Sequence, residues 1–155
     1  MTDQVTLTTI CVVYDRPNQR LVLINRRKGD WRGYAPPGGH VDFPESMADC
    51  AIREVQEETG LTVSELAFKG LANFVNAETR ERYLVFHYIT EQFTGTLGPG
   101  TAEGKPEWIA VTELDRIQFA PGMRERLALF FQESPSELHV IWDEQGRRDE
   151  KLIVF

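Results

Sequence analysis

The stretch GGHVDFPESMADCAIREVQEETGL, residues 38–61, crowds carboxylates onto a segment that otherwise reads as an amphipathic helix. At about 100° per residue, Ala48, Ala51, Ile52, Val55 and Thr59 share one arc, the expected buried face. Glu54, Glu57 and Glu58 occupy the neighbouring arc at i, i+3 and i+4, with Arg53 beside them. Gly60 can take the left-handed conformation that ends a helix, and Gly38 and Gly39 let the backbone approach another group closely. A solvated acidic face is the ordinary explanation of a Glu-rich helix. It explains little here, because like charges at this spacing cost about a few tenths of a kcal/mol per pair, and Arg53 offsets only part of that through Glu57. Clustered carboxylate oxygens suit Mg²⁺ or Mn²⁺, whose octahedra are usually completed by waters and substrate phosphates.

Working outward, VTLTTICVVYD (5–15) and LVLINRR (21–27) are rich in β-branched or aliphatic residues and flank a Pro-Asn turn, which predicts a hairpin. KGDWRGYAPPGG (28–39) is a Gly- and Pro-rich loop feeding the acidic segment. Beyond Gly60, 61–75 is mostly strand-like, 82–93 is a strong strand, 94–106 is loose and 107–111 is a short strand. PGMRERLALFFQE (121–133) predicts a helix with proline at its start. The tail reads as a hairpin around Gly146. With no repeat or linker, this pattern predicts one α/β domain over residues 1–155, a mixed sheet with helices packed on it.

The totals narrow the function. A chain of 155 residues, 41% hydrophobic, suits one domain with a substantial core. A net charge of −7 disfavours a nucleic-acid groove. It leaves room for a small phosphorylated substrate if divalent cations stand between the two negative partners. No apolar run is long enough to cross a bilayer, and the N-terminus lacks a basic leader, so a cytoplasmic protein is expected. Cys11 and Cys50 form no metal-type pair and no disulfide framework.

From Gly39 to Leu61 the segment resembles the Nudix box, Gly-x5-Glu-x7-Arg-Glu-U-x-Glu-Glu-x-Gly-U, without a mismatch. The matching residues are Gly39, Glu45, Arg53, Glu54, Val55, Glu57, Glu58, Gly60 and Leu61. The order of surrounding elements is similar to the Nudix α/β/α sandwich over nearly the whole chain. The resemblance implies hydrolysis within the phosphate chain of a nucleoside diphosphate linked to another group, with Mg²⁺ as cofactor and Mn²⁺ as a substitute. It implies Glu54, Glu57 and Glu58 as metal ligands, with the Gly39 carbonyl as an additional one. Arg53 would hold the carboxylates in place, and Glu45 would be mostly architectural. Glu54 is the first candidate for the general base and Glu103, in TAEGKPEW, its rival, because MutT-type members bring a loop glutamate to the metals. Arg26 and Arg27, at the end of the second strand, are candidate phosphate contacts, Arg27 foremost.

Other singled-out residues have plainer readings. Trp108 reads as core, His87 and His139 as ordinary sheet residues, and Cys50 as a small filler. His40 lies near the site by sequence, outside the box-defined positions.

The box reports chemistry, and loops outside it set the substrate. VNAET (75–79) lacks the proline typical of ADP-ribose enzymes and the tyrosine typical of diadenosine-polyphosphate hydrolases. What remains resembles the MutT-like group, a (deoxy)nucleoside triphosphate pyrophosphohydrolase, with oxidised guanine nucleotides such as 8-oxo-dGTP as one candidate substrate. The asparagine of the MutT pattern that reads oxidised guanine has no counterpart in RIQFAPGMRER (116–126). Hydrolysis of ADP-ribose or a nucleotide sugar is the alternative; RNA 5′-end hydrolysis and a non-catalytic regulator rank below it. The expected partner is a small nucleotide, with no long nucleic acid and no membrane. The tail, with Trp142 and Phe155, suggests a pairing edge, so the chain is expected to be a monomer or a homodimer.

Overall fold

The run Ile10-Cys11-Val12-Val13 is apolar at every position because its strand is covered on both faces. In the computed structural model, which describes residues 3–146 and 148–155, β1 (Gln4–Asp15) lies inside a large mixed sheet. Cys11 and Val13 face one side and pack with Val22, Ala51, Val55, Leu61 and Val63. Ile10 and Val12 face the other and pack with Leu21, Leu23, Ala72, Val85, Met123 and Phe130. One helix therefore covers each face, α1 (Met47–Thr59) on the first and α2 (Met123–Leu127) on the second. The α/β/α arrangement is the one expected.

The remaining strands are β2 (Arg20–Arg26), β3 (Gly33–Ala35), β4 (Gly38–His40), β5 (Thr62–Ser64), β6 (Ala67–Asn76), β7 (Glu81–Thr90), β8 (Gln92–Thr94), β9 (Pro106–Ala110), β10 (Ser136–Trp142) and β11 (Arg148–Val154). Among the described residues the main sheet runs β11-β10-β6-β7-β1-β2-β3, with β4 beside β1 and β9 beside β2. The β1–β7 and β6–β10 pairs are parallel. Strands β5 and β8 form a separate small ribbon. The hairpin expected around Gly146 is present as β10–β11; its Arg147, like Met1 and Thr2, lies outside the described residues. No helix among the described residues is long and apolar enough to cross a membrane.

Two pairings position the site. Antiparallel β4 sets Gly39 opposite Thr9 and holds the Gly-Gly pair against the flank of α1. Strand β2 ends at Arg26 next to the loop carrying Glu103, because the Arg27 N–H donates to the Glu103 carbonyl at 3.1 Å.

The helix expected over 121–133 is shorter. Gly122, in the left-handed region, is its N-cap, so Pro121 lies outside the helix. After five α-helical residues the chain tightens into a 3-10 turn, Ala128–Phe131, which buries both Leu129 and Phe130. The strand-like segment 61–75 is likewise two strands, β5 and β6, that enter different sheets.

Candidate active site

Helix α1 begins where Ser46 Oγ accepts the Asp49 N–H at 3.0 Å and ends at Gly60, whose φ of 83° is the left-handed cap. Ala51, Val55 and Thr59 are buried as expected, and Ala48 and Ile52 are half-buried. The buried arc extends further round than the wheel predicts, because β4 covers that flank and takes in Cys50 and Glu58. Cys50 is a filler: its Sγ lies 3.3 Å from Thr9 Oγ1 and 3.4 Å from the His40 carbonyl.

Arg53 is the hub of the acidic cluster. Its Nε and Nη2 donate to the two Glu45 oxygens at 3.0 and 2.7 Å, in the bidentate fork that fixes orientation as well as charge. Its Nη1 donates to Glu54 at 2.9 Å and to Glu57 at 3.1 Å, and Nη2 also reaches the His40 carbonyl at 3.1 Å. The Arg53 hydrogen bonds hold Glu45 down to about 2, with the Asp42 N–H adding to the effect. One guanidinium thus ties the helix to the β4 exit and aims three glutamates.

Glu54 and Glu58 are in the opposite electrostatic condition. Burial raises the Glu54 carboxyl above its ordinary value despite Arg53, with Glu57 and Glu103 adding repulsion. Burial, with repulsion from Glu54, pushes Glu58 up to about 8 against the opposing pull of the Gly38 N–H that donates to its Oε2 at 3.2 Å. These two carboxyls are stripped of water without enough positive charge to compensate them. The backbone of Gly39 lies so close to Glu54 that a Cβ there would collide with its carboxylate.

Glu54, Glu58, Gly39, Arg26 and Glu103 all line one cavity of about 1370 Å³. Arg26 stands with its guanidinium 5.6 Å from the centre of the Trp31 ring, 3.6 Å from Glu103, and with a buried Nε lacking any partner. Arg27 is exposed and is not among the lining residues; the strand alternation turns it away while Arg26 turns in. Glu57 is also outside the lining, 56% exposed and engaged by Arg53. Among the described residues no three His, Cys, Asp or Glu side chains converge as a ready-made metal cage. Mg²⁺ does not need one, since it commonly binds through one or two carboxylates with waters and phosphates. The under-compensated pair Glu54–Glu58 fits that kind of ion.

The Glu103 loop is tied down more than its composition suggests. Thr101 and Gly104 exchange backbone hydrogen bonds at 3.1 and 3.2 Å, and the Glu103 carbonyl is held by Arg27. Its side chain is left 55% exposed at the cavity edge. Trp108 packs on Phe93 at 5.2 Å, away from the cavity, so it is a core residue.

The cavity also holds residues that local reading passed over: Trp31, Phe74, Tyr83 and Arg126. The strand residues among them are joined to the acids only through non-local pairing. Arg126 did leave a signal, since it sits with Met123, Leu127 and Phe130 on the apolar stripe of its helix. His87 is likewise more than an ordinary sheet residue. It is fully buried, 4.6 Å from the Phe130 ring centre, and its Nε2 is 3.0 Å from Arg126 Nη2.

Comparison with known proteins places this geometry. A family profile described as the NUDIX domain matches residues 5–130. The uncharacterized Nudix hydrolase YvcI of Bacillus subtilis is 27% identical over 117 residues, 74% of this chain and 72% of its own length. An ADP-ribose pyrophosphatase of Methanocaldococcus jannaschii is 25% identical over 103 residues, 66% of this chain and 61% of its own. Among solved structures, the MutT protein of Bacillus halodurans superposes with a TM-score of 0.79 at 22% identity, covering 95% of this chain and 97% of that one. The NUDIX domain of Shewanella oneidensis NrtR, solved with ADP ribose, superposes with a TM-score of 0.65 at 14% identity, covering 83% and 86%.

Proposed function

This chain belongs to the Nudix hydrolase family, whose members act on pyrophosphate bonds of small nucleotide substrates and generally use divalent metal ions, and we propose that it is a Mg²⁺-dependent pyrophosphohydrolase of (deoxy)nucleoside triphosphates. The observation that carries the reading is the placement of Glu54, Glu58, Gly39, Arg26 and Glu103 around one cavity, with two carboxyls raised by burial. Glu54, Glu58 and the Gly39 carbonyl would hold the ion, with Glu57 completing the set when phosphate arrives. Bound there, a divalent cation supplies charge neutralisation for the phosphate oxygens and acidifies water beside the phosphorus.

The chain's own residues do the rest. Arg26, whose buried Nε has no partner, binds phosphate oxygens as a planar donor. Glu54 accepts the proton of the attacking water at its carboxylate, or Glu103 does so from the cavity edge. Arg53 keeps Glu54 in its rotamer, so little reorganisation of that carboxylate remains at the moment of reaction. The experiment is a nucleotide panel under Mg²⁺, scored for pyrophosphate against orthophosphate release. Triphosphates giving monophosphate and pyrophosphate support the reading.

ADP-ribose is the second reading. It is favoured by the relative named for that activity and by a cavity that continues past the acids to Trp142 and Leu152 on β10 and β11. The same panel separates the two if it includes ADP-ribose, which would yield AMP.

A further inference from the structure

The cavity has two chemically different ends. One is formed by the acids and Arg26. The other lies on the α2 face of the sheet and is formed by Phe74, Tyr83, Val85, Leu138 and Val140, with a single buried cation, Arg126. Arg126 is 6% exposed and lies 5.4 Å from the centre of the Phe74 ring. No ion pair joins it to a carboxylate among the described residues. Its Nη2 bonds to His87 Nε2 at 3.0 Å, and its Nε is buried with no partner.

Burying an uncompensated guanidinium is costly unless something accepts its hydrogen bonds. Burial lowers Arg126 to about 10, so it stays charged near neutrality. The His87 nitrogen meets one donor, Nη2, and among the described residues no acceptor meets the buried Nε. Flat apolar walls beside that fork suit a planar ring better than a phosphate, and the phosphate end of the cavity is already furnished with its own groups. An arginine fork matches two adjacent in-plane acceptors, and among nucleobases guanine offers that pair as O6 and N7. Adenine places a donor, N6–H₂, where O6 would be, and so meets the guanidinium donor to donor.

We propose that Arg126 is a specificity-determining residue that reads the O6 and N7 acceptors of a 6-oxopurine seated against Phe74 and Tyr83. This rests on the reading of the cavity as a nucleotide site. It also places an undamaged 6-oxopurine ahead of 8-oxoguanine, which carries hydrogen on N7 and loses one of the two acceptors.

The test compares dGTP, dITP, dATP, 7-deaza-dGTP and 8-oxo-dGTP on the wild-type protein with Mg²⁺, alongside equilibrium binding of the non-hydrolysable α,β-methylene analogues of dGTP and dATP. We expect kcat/KM and affinity for dGTP and dITP to exceed those for dATP about tenfold or more, with 7-deaza-dGTP and 8-oxo-dGTP falling toward dATP. Arg126→Gln, checked for folding by its melting curve, should shift preference toward adenine, because a glutamine amide pairs with N6 and N7. A residue serving only to pack α2 would lower all nucleotides alike. If binding selects guanine and no triphosphate is hydrolysed, the reaction assignment fails and this inference stands. Equal binding of guanine and adenine analogues by the wild type overturns it, whatever the variant does.

Discussion

Glu58→Gln should stabilise the metal-free protein at alkaline pH and weaken its response to metal. In the unfolded chain Glu58 ionises near its ordinary value of 4.5, whereas in the folded protein burial holds it near 8. Between those values the folded state keeps a proton that the unfolded chain has released. Stability therefore falls as pH rises from about 4.5 to about 8 and is level above that, as far as this group is concerned. A shift of that size corresponds to about 4–5 kcal/mol at most. Relaxation and water entry reduce it, and coupling to the raised Glu54 means the titration belongs to the pair. About 2 kcal/mol is the working expectation. Glutamine keeps an oxygen for the Gly38 N–H and never ionises. In chelator at pH 8.5 the variant should thus be more stable than wild type by about 2 kcal/mol, and at pH 5 within about 0.5 kcal/mol of it. Saturating Mg²⁺ at about 100 Kd should add about 2.7 kcal/mol to wild type and less than half of that to the variant. Urea unfolding followed by tryptophan fluorescence at both pH values, with and without Mg²⁺, measures all four numbers. Parallel pH curves for the two proteins, or equal metal shifts, would refute the claim that Glu58 is an under-compensated ligand.

Other perturbations follow from the same geometry. Gly39→Ala forces a methyl group into the Glu54 carboxylate, so turnover should fall at least about a hundredfold while circular dichroism stays native-like. Arg53→Lys removes the bidentate grip on Glu45 and should cost about 1–3 kcal/mol in denaturant melts, with a larger proportional loss of kcat than of KM. Glu45 works in the opposite pH direction from Glu58: its stabilisation is present above its ordinary value and is lost as pH falls toward about 2, so acid melts of Glu45→Gln should show a weaker acid dependence. Glu103→Gln should lower the single-turnover rate far more than it raises KM if Glu103 takes the proton, and an unchanged chemical step returns that role to Glu54.

The readable part of the molecule was local. Helix α1 announces itself through its 3.6-residue period, its Ser46 and Gly60 caps and its one-sided acids, all within a few turns of chain. The β1 core run was legible because burial on both faces leaves no polar position. What the chain does not display locally is which flank a neighbouring strand covers. Glu58 reads like Glu57 on a wheel, yet β4 buries the first and leaves the second exposed. The Arg26–Arg27 pair posed the same difficulty, since only the strand phase decides which of them enters the cavity. Helix α2 was overextended because apolar spacing continues through Phe130, while Gly122 and the 3-10 tightening shorten the α-helical part to one turn and a half. Arg126 and His87 lie 39 positions apart and meet only after α2 docks on β7.

The most direct test of the central claim is product analysis by ³¹P NMR of wild-type protein with a nucleoside triphosphate, in chelator and after adding Mg²⁺. Nucleoside monophosphate and pyrophosphate should appear only when Mg²⁺ is present, and the signal should be lost in a folded Glu54→Gln variant. Formation of orthophosphate and a nucleoside diphosphate, or turnover in chelator that survives Glu54→Gln, would contradict that mechanism.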